Sequence, residues 1–407
     1  MDALPAHLLV PGRLFKLPVA ATGKVRKDEP KEIEVVNQNR NPARRPVSPR
    51  YPEMEVQGDP VELGRGVGEA AREQIGGFVD LTLERLDRFD PVSRDAALAI
   101  AKRSFEHVAE YAPRLLEELR GMAEGARVGE QELMLLQVRN QLTPADREGC
   151  TSFAVSPAVC AEHHAVVAQN WDNDPALDPF TIVITRRPAG KPAHMSLTQA
   201  GLIGYIGFNE AGVGLCLNTL QAPSRARGVP HYFIIRKILE ATSLDAVIEA
   251  VQRAERAIPA NIMLTTPEGP ADLEVTLDDI RVLRNGDSGI VTHTNHCIHP
   301  ALRCFNDQFP ELMQSHDRLR RIDELFRSTG RPVGVPAMQE MLRDRKGAPR
   351  SICRWPSSDA ETGHLASVFS VLIEADGGCM HVTRGNPCEA PYETYRMTPP
   401  PAPNQRM

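Results

Sequence analysis

The hydrophobic pattern of this 407-residue chain changes its period at Gly149-Cys150. Before this point, apolar residues recur at helical spacing in four stretches, Pro60–Arg88, Ala96–Tyr111, Pro113–Ala126 and Glu130–Leu142. After it, short apolar runs rich in β-branched residues predict strands, and helical stretches lie between them. The predicted strands are Thr151–Ser156, Ala165–Ala168, Thr181–Thr185, Gly212–Asn218, Ile262–Thr265, Leu273–Thr276, Gly289–His293, Ala366–Ile373 and Cys379–Thr383. The predicted helices between them are His231–Ala241, Leu244–Ala254, Leu312–Ser328 and Pro336–Leu342. This order of elements predicts an α+β protein, with antiparallel sheets and helices packed outside them.

The same change of pattern divides the chain into four predicted parts. Residues 1–50 hold seven prolines and a charge of +5, against −6 for the whole chain. We interpret them as a disordered basic extension rich in proline and arginine. Residues 51–149 form a helical segment, residues 150–395 form a domain of strands and helices, and residues 396–407 form a proline-rich tail.

Composition argues against several classes of protein. The net charge of −6 disfavours nucleic acid as a partner. No run of apolar residues reaches the ~18 needed to span a membrane, so we expect no membrane association. The eight cysteines include no Cys-x-x-Cys pair. We therefore interpret them as reduced thiols of a cytoplasmic protein.

Gly149-Cys150 also carries the strongest chemical signal. Cleavage between these residues would give Cys150 a free α-amine beside its thiol. An α-amine titrates near ~8, so part of it is free base near neutral pH and can accept the thiol proton. One residue would then supply both nucleophile and base. Gly149 has no Cβ, which lets the sulfur approach the preceding carbonyl group. On these two residues alone, a buried structural thiol and an ordinary turn remain open alternatives.

Other short motifs follow one another in order along the chain. They are Leu63-Gly64-Arg65-Gly66-Val67-Gly68-Glu69, Gly149-Cys150-Thr151-Ser152, Ala168-Gln169-Asn170-Trp171-Asp172, Phe208-Asn209-Glu210-Ala211-Gly212-Val213-Gly214, Thr294-Asn295-His296 and Gly385-Asn386-Pro387-Cys388. In order and spacing, this set resembles the acyl-coenzyme A:6-aminopenicillanic acid (isopenicillin N) acyltransferase family of N-terminal-nucleophile cysteine hydrolases, over roughly residues 51–395.

The resemblance implies a fold, a maturation step and a reaction. The implied fold is a four-layer αββα sandwich with an N-terminal helical segment. The chain would cleave itself before Cys150, so that residues 51–149 become a small subunit and residues 150–395 a large one. The enzyme would then cleave a linear amide through a thioester on Cys150 and pass the acyl group to water or to an amine.

The resemblance also assigns roles to residues of this sequence. Asp172 would lie beside the nucleophile and orient the new amine, and the amide NH₂ of Asn295 would donate to the oxyanion of the tetrahedral intermediate. Asn218 is a second candidate donor, and Asn170 and Trp171 are possible supporting residues. From the residues alone, Asp172 is equally read as a turn aspartate and Asn218 as a residue that ends a strand.

The histidines of residues 293–299 suggest a different function. His293, His296, His299 and Cys297 include the residue types that ligate zinc, which would make the protein a metal-dependent hydrolase. However, no paired ligands follow at zinc-finger spacing, and the chain has no His-Glu-x-x-His motif. We therefore predict no metal and no cofactor. The second alternative is an uncleaved binding protein of the same fold.

The expected partners are a small amide or acyl substrate and the chain's own cleaved N-terminal fragment. Four arginines could hold a substrate carboxylate through two parallel hydrogen bonds, and two serines on a predicted strand could support the site. Solvated surface arginines and core-strand serines remain the alternatives. The candidate arginines are Arg318, Arg321, Arg354 and Arg384, and the candidate serines are Ser367 and Ser370.

Overall fold

Two stacked β-sheets form the centre of the protein. The structure is a computed structural model that describes residues 48–89, 92–142, 149–284, 286–358 and 363–398. With strands numbered along the chain, one sheet contains, in spatial order, β1 (Glu53–Gly58), β4 (Thr181–Pro188), β5 (His194–Gln199), β6 (Ile206–Asn209), β7 (Gly214–Asn218), β8 (Ala260–Thr266), β9 (Gly269–Val275) and β10 (Ile280–Leu283). The other contains β11 (Ile290–His293), β2 (Gly149–Val155), β3 (Val166–Asn173), β12 (Ala366–Glu374), β13 (Cys379–Arg384) and β14 (Tyr392–Arg396). Neighbouring strands are antiparallel except β1 and β4, which are parallel.

Helices cover the outer faces of both sheets. Those that pack with the sheet of β1 are α1 (Pro60–Ala70), α2 (Arg72–Phe89), α3 (Arg94–Tyr111), α4 (Pro113–Ala126), α5 (Glu130–Leu142), α6 (His231–Ile238) and α7 (Leu244–Gln252). Those on the other side are α8 (Ser315–Ser328) and α9 (Val335–Leu342), which share an apolar cluster with β2 and β3.

Side-chain alternation along β2 and β3 separates the two faces of the second sheet. Cys150 and Val167 pack toward the first sheet, in one cluster with Leu215 of β7. Phe153 and Val166 pack on the opposite face, under α8 and α9. Both strands are buried along their whole length, although β3 carries four polar residues, Gln169, Asn170, Asp172 and Asn173. The layers are therefore helix, sheet, sheet and helix, and the predicted α+β class and αββα sandwich are confirmed.

Glycines allow α1 and α4 to pack unusually close together. A Cβ atom added at Gly64 or Gly68 of α1 would overlap the backbone of α4, and one at Gly121 or Gly125 of α4 would overlap the backbone of α1. In each helix the two glycines are four residues apart, so they lie on one face. The first motif of the sequence analysis, Leu63–Glu69, therefore serves helix packing.

The segment before Cys150 was predicted to be nearly all helix, but it also contains a strand. Its first element, β1, pairs in parallel with β4, so residues on both sides of Cys150 share one sheet. The predicted helix Pro60–Arg88 is also divided, because α1 ends at Ala70 and α2 begins at Arg72.

Four further strands, β5, β6, β10 and β14, were not predicted. Four of the six residues of β5 are buried and polar, so the alternation of Met195 and Leu197 is too short to predict a strand. β3 extends to Asn173, which places Asp172 inside a strand and not in a turn. Residues 1–47 and 399–407, which hold most of the predicted extension and tail, lie outside the described residues. None of the described helices is long and apolar enough to cross a membrane.

Candidate active site

Gly149 and Cys150 begin β2 at the centre of the second sheet. Cys150 lies opposite Trp171 of β3, and Gly149 lies opposite Asp172. Cys150 is buried, with 1% of its surface exposed. Its backbone N–H donates a hydrogen bond of 3.0 Å to Oδ1 of Asn295. The nitrogen of the predicted scissile bond is therefore held by a residue that lies 145 positions away in the sequence.

Hydrogen bonds determine the orientation of the Asn295 amide. Its Oδ1 accepts from the Cys150 N–H and, at 2.7 Å, from Nη2 of Arg318. Two donors converge on this atom, so it must be the oxygen. Its Nδ2 donates to the carbonyl oxygen of Thr219 at 2.9 Å. In the uncleaved chain, the oxygen of this amide faces Cys150 and the NH₂ group faces Thr219. The assignment of Asn295 as an oxyanion donor stays a prediction.

Arg318 of α8 is a site residue that the sequence did not rank above the other candidate arginines. Its side chain is fully buried and donates to the carbonyl oxygen of Cys150, to Oγ1 of Thr151 at 3.0 Å and to the carbonyl oxygen of Met313 at 2.9 Å. Burial lowers the pKa of Arg318, and the nearby carboxylate of Asp172 opposes that shift. One signal was visible in the sequence. Arg318 is four residues before Ile322 and therefore lies on the apolar face of its helix.

Asp172 lies beside the backbone of Gly149, and alternation places its side chain on the opposite face of the sheet from the thiol of Cys150. Its Oδ1 accepts a hydrogen bond of 2.6 Å from Oγ of Ser367, whereas its buried Oδ2 has no hydrogen-bond partner among the described residues. Burial raises the pKa of Asp172, and Arg318, Ser367 and Arg354 oppose that rise. The carboxylate therefore belongs to the residue paired with Gly149, on the sheet face opposite the thiol of Cys150, and its role beside the nucleophile stays a prediction.

A strained turn lies against the predicted cleavage position. Met313 and Gln314 have φ values of 44° and 54°, which side chains other than glycine rarely adopt. A Cβ atom on Gly149 would lie 2.6 Å from the sulfur of Met313, so a larger residue here would force the Met313 side chain to move. The same turn leads into Ser315, whose Oγ accepts from the backbone N–H of Asn295 at 2.7 Å. One turn thus contacts Gly149 through Met313 and holds Asn295 through Ser315.

The three predicted supporting residues have different positions. Asn218 donates to the carbonyl oxygen of Thr294 at 2.7 Å, next to Asn295, so it does reach the site. Asn170 points to the opposite face and donates to the carbonyl oxygen of Leu342 at 2.7 Å, which anchors α9. Trp171 stacks on Phe369 in the core, with ring centroids 4.9 Å apart.

The histidines of residues 293–299 do not converge on a common point. Nε2 of His293 lies 3.0 Å from Oε1 of Glu274, and Nδ1 of His296 lies 2.7 Å from Oγ of Ser315. Among the described residues, the group of three side chains that could hold a metal ion is elsewhere, at the far end of β12 and β13. It consists of Glu374, Cys379 and His381.

His293 and its partner Glu274 belong to a buried cluster that supports the loop of Asn295. Glu274 accepts from the backbone N–H groups of Ile298 and His299, and Nδ1 of His293 lies 3.0 Å from the carbonyl oxygen of Thr294. Both ring nitrogens of His293 thus face acceptors, which indicates an imidazolium ion. Asp272 lies 3.9 Å from Nε2 of His293, and burial raises its pKa to about 7.

The remaining candidates have partners of their own. Arg321 pairs with Asp344 at 2.6 Å, Arg384 pairs with Asp178 at 3.2 Å, and Ser370 bonds to Tyr392 at 2.7 Å. Arg354 donates to Oε1 of Gln314 at 3.2 Å, and its backbone N–H donates to Ser367. Of this group, Arg354 is the residue that contacts both the turn at Gln314 and Ser367, the partner of Asp172.

Sequence comparisons connect this arrangement to known proteins. Residues 159–389 match the family model of the acyl-coenzyme A:6-aminopenicillanic acid acyl-transferases, a range that begins after Cys150 and contains Asp172, Asn295 and Arg318. Over 352 residues, the chain is 29% identical to the acyl-coenzyme A:6-aminopenicillanic-acid-acyltransferase 40 kDa form of Emericella nidulans, covering 84% of this chain and 94% of that protein. Over 222 residues, it is 25% identical to the β-alanyl-dopamine/carcinine hydrolase of Drosophila melanogaster, covering 50% of this chain and 57% of that protein.

Two solved structures are also similar to the chain. One is a mutant conjugated bile acid hydrolase from Clostridium perfringens, with a TM-score of 0.39, 12% identity, and coverage of 61% of this chain and 97% of that one. The other is penicillin V acylase from Agrobacterium tumefaciens, with a TM-score of 0.37, 12% identity, and coverage of 57% and 82%.

Proposed function

Because the chain belongs to the acyl-coenzyme A:6-aminopenicillanic acid acyltransferase family, we propose that it cleaves itself before Cys150 and then acts on a linear amide through a Cys150 thioester. The acyl group passes to water, as in an amidohydrolase, or to an amine, as in an acyltransferase. One observation carries this proposal. Asn295 accepts a hydrogen bond from the backbone N–H of Cys150, and Arg318 donates one to the carbonyl oxygen of Cys150. All three residues are buried.

In the cleavage step, Sγ of Cys150 attacks the carbonyl carbon of Gly149. The C–N bond breaks, the thiol proton passes to the departing nitrogen, and a thioester joins Gly149 to the sulfur of Cys150. Water then attacks the thioester and releases the carboxyl group of Gly149 and the thiol. Asn295 holds the scissile nitrogen throughout, and the strained turn at Met313 packs directly on Gly149.

In turnover, the new α-amine of Cys150 accepts the thiol proton, and the thiolate attacks the carbonyl carbon of the substrate. The guanidinium of Arg318 favours the thiolate, because an opposite charge in a buried site stabilises an ion strongly. After cleavage, the NH₂ group of Asn295 would donate to the oxyanion, which requires it to give up or share its bond to the carbonyl oxygen of Thr219. Asp172 is paired with Gly149 across the two strands, and its buried Oδ2, which has no hydrogen-bond partner among the described residues, would accept from the new amine once the bond is cut.

The test is the intact mass of the wild-type protein beside Cys150→Ala. For the 44.8 kDa chain, cleavage gives fragments of roughly 16 and 28 kDa, and the larger one begins with Cys150. Cys150→Ala should remain full length and inactive, whereas Cys150→Ser should cleave slowly because a hydroxyl group can make the same acyl shift. An active wild-type protein that stays full length would refute self-cleavage. Activity of Cys150→Ala would refute the nucleophile.

A further inference from the structure

Two cysteines outside the candidate active site lie close enough to react with each other. Sγ of Cys353 and Sγ of Cys388 are 3.1 Å apart, although the residues are 35 positions apart in the sequence. A disulfide bond needs about 2.05 Å, so a shift of about 1 Å would join them. Cys388 ends the motif Gly385-Asn386-Pro387-Cys388, which neither the proposed reaction nor the helix packing explains.

The surrounding hydrogen bonds hold both thiols in this position. The thiol of Cys353 donates to Oδ1 of Asn386 at 3.0 Å, and the backbone N–H of Cys388 donates to the same oxygen at 3.0 Å. The thiol of Cys388 lies 3.1 Å from the carbonyl oxygen of Arg343, an acceptor for its proton. Asn386 therefore fixes both cysteines, and the sulfur atoms face each other.

We propose that Cys353 and Cys388 form a reversible disulfide under oxidation by a peroxide. Cys388 is the residue that meets the oxidant, because it is partly exposed whereas Cys353 is buried. Burial raises the pKa of both thiols, but the guanidinium groups of Arg343 and Arg345 oppose that rise at Cys388. These charges favour the Cys388 thiolate, which is the reactive form.

The chemistry balances with hydrogen peroxide as the oxidant. The Cys388 thiolate attacks one peroxide oxygen, the O–O bond breaks, and the sulfur becomes a sulfenic acid while hydroxide leaves and is protonated to water. The sulfur of Cys353 then attacks the sulfur of Cys388, the S–O bond breaks, and the second oxygen leaves as water with the proton of Cys353. Two thiols and one peroxide thus give one disulfide and two waters.

The disulfide would lie next to the candidate active site. Residue 354 follows Cys353 directly, and the backbone N–H of Arg354 donates to Ser367 at 2.9 Å. Ser367 in turn donates to Asp172. The carbonyl oxygen of Arg354 accepts from Nδ2 of Asn386 at 2.8 Å. Oxidation would therefore replace a hydrogen-bonded contact between these two segments with a covalent one.

The experiment uses the full-length Cys150→Ala, Cys304→Ser protein, in which the proposed nucleophile and the exposed cysteine are absent. One equivalent of hydrogen peroxide should lower the intact mass by about 2 Da, and a reductant should restore it. Peptide mapping should find Cys353 joined to Cys388. Adding Cys353→Ser should block the loss of mass and leave a sulfenic acid on Cys388 that dimedone traps, whereas adding Cys388→Ser should leave Cys353 reduced at the same dose.

Peptide mapping of the parent protein needs no change at either cysteine, so it decides the question even if a serine variant fails to fold. Two results would overturn the proposal. One is full alkylation of Cys353 and Cys388 after peroxide treatment and denaturation. The other is a disulfide that involves Cys160, Cys216, Cys297 or Cys379 in their place. Because the test protein lacks the thiol of Cys150, failure here says nothing about the proposed hydrolysis.

Discussion

Among the described residues, arginine side chains are completely buried at two sites, and the partners of their charges differ. Where the N-terminal helices meet the first sheet, Glu118 of α4 lies 3.0 Å from Nε of Arg186 and 3.1 Å from Nη2 of Arg236. At the candidate active site, Arg318 instead contacts neutral oxygen atoms of Cys150, Thr151, Asn295 and Met313. Among the described residues, no carboxylate lies within ion-pair distance of Arg318.

The difference separates a structural site from a chemical one. A buried charge is costly unless it is paired, so a direct carboxylate partner is expected where the only role is to hold two layers together. An arginine that is met only by neutral acceptors keeps its positive potential for another anion. At Arg318, that anion would be the thiolate or the oxyanion formed at Cys150. We therefore expect variants of Glu118 to affect mainly stability and variants of Arg318 to affect mainly rate.

The largest expected effect is on stability. Glu118→Gln keeps the shape of the side chain but leaves Arg186 and Arg236 without their shared carboxylate. We expect a loss of about 3–5 kcal/mol in the free energy of unfolding, measured by urea denaturation. The matched control on the same helix is Glu124→Gln, which breaks only the exposed pair with Arg65 and should cost about 1 kcal/mol or less. Equal losses in the two variants would contradict the structural role of Glu118.

Arg318→Gln should affect the rate of self-cleavage more than the free energy of unfolding. It removes a buried charge that has no carboxylate partner in contact, so the loss of stability should be clearly smaller than that of Glu118→Gln. The rate of self-cleavage should fall on the order of 10³-fold, because a charged donor is stronger than a neutral one. The measurement is the rate at which full-length protein disappears, together with urea denaturation. A large loss of stability with unchanged cleavage would reverse the comparison.

Asn295→Ala tests the neutral partner of the same site. If its NH₂ group donates to the oxyanion, kcat of the cleaved enzyme should fall on the order of 10²–10³-fold, with a much smaller change in KM. Cleavage must be measured separately by intact mass, because Asn295 also holds the scissile nitrogen. Normal kcat in a fully cleaved Asn295→Ala enzyme would exclude this role and leave Asn218 as the candidate donor.

The contrast between the two arginine sites also shows how far the sequence can be read. Cys150 and Asn295 could be proposed as site residues because each lies in a short motif, and the structure brings them into contact. For Asp172, the sequence left a turn aspartate open as the alternative to a catalytic role, because its segment is rich in turn-forming residues, but β3 continues through it. Local propensity was overridden there by pairing with β2 and β12.

Arg318 could not be ranked from the sequence, because the burial of an arginine depends on which elements pack against it. Its spacing from Ile322 was a weak signal, and it is the contact of α8 with β2 that sets it apart from Arg321, which lies three residues later and is paired with Asp344. The strand β5 was missed for a similar reason. It is buried but polar, and its membership of the sheet depends on neighbours far along the chain.

The smallest expected effect concerns the cluster that supports the loop of Asn295. Burial raises the pKa of Asp272 from 3.8 to about 7, and the charge of Glu274 adds to that rise. The pKa of His293 is also raised, because the attraction of Asp272 and Glu274 outweighs its burial. Both groups thus bind their protons more tightly in the folded state than in the unfolded state.

Their contribution to stability is therefore complete at low pH and is lost as the pH rises through the folded-state pKa values. For Asp272, the loss should extend from about pH 4 to just above pH 7, with a slope of at most ~1.4 kcal/mol per pH unit for one proton. Asp272→Asn cannot ionise, so unfolding by urea between pH 5 and 8 should show a flatter dependence than in the wild type. The exposed Asp245→Asn is the control and should follow the wild-type curve. If Asp272→Asn also follows the wild-type curve, Asp272 does not titrate in this range, and its charge does not contribute to holding the Asn295 loop.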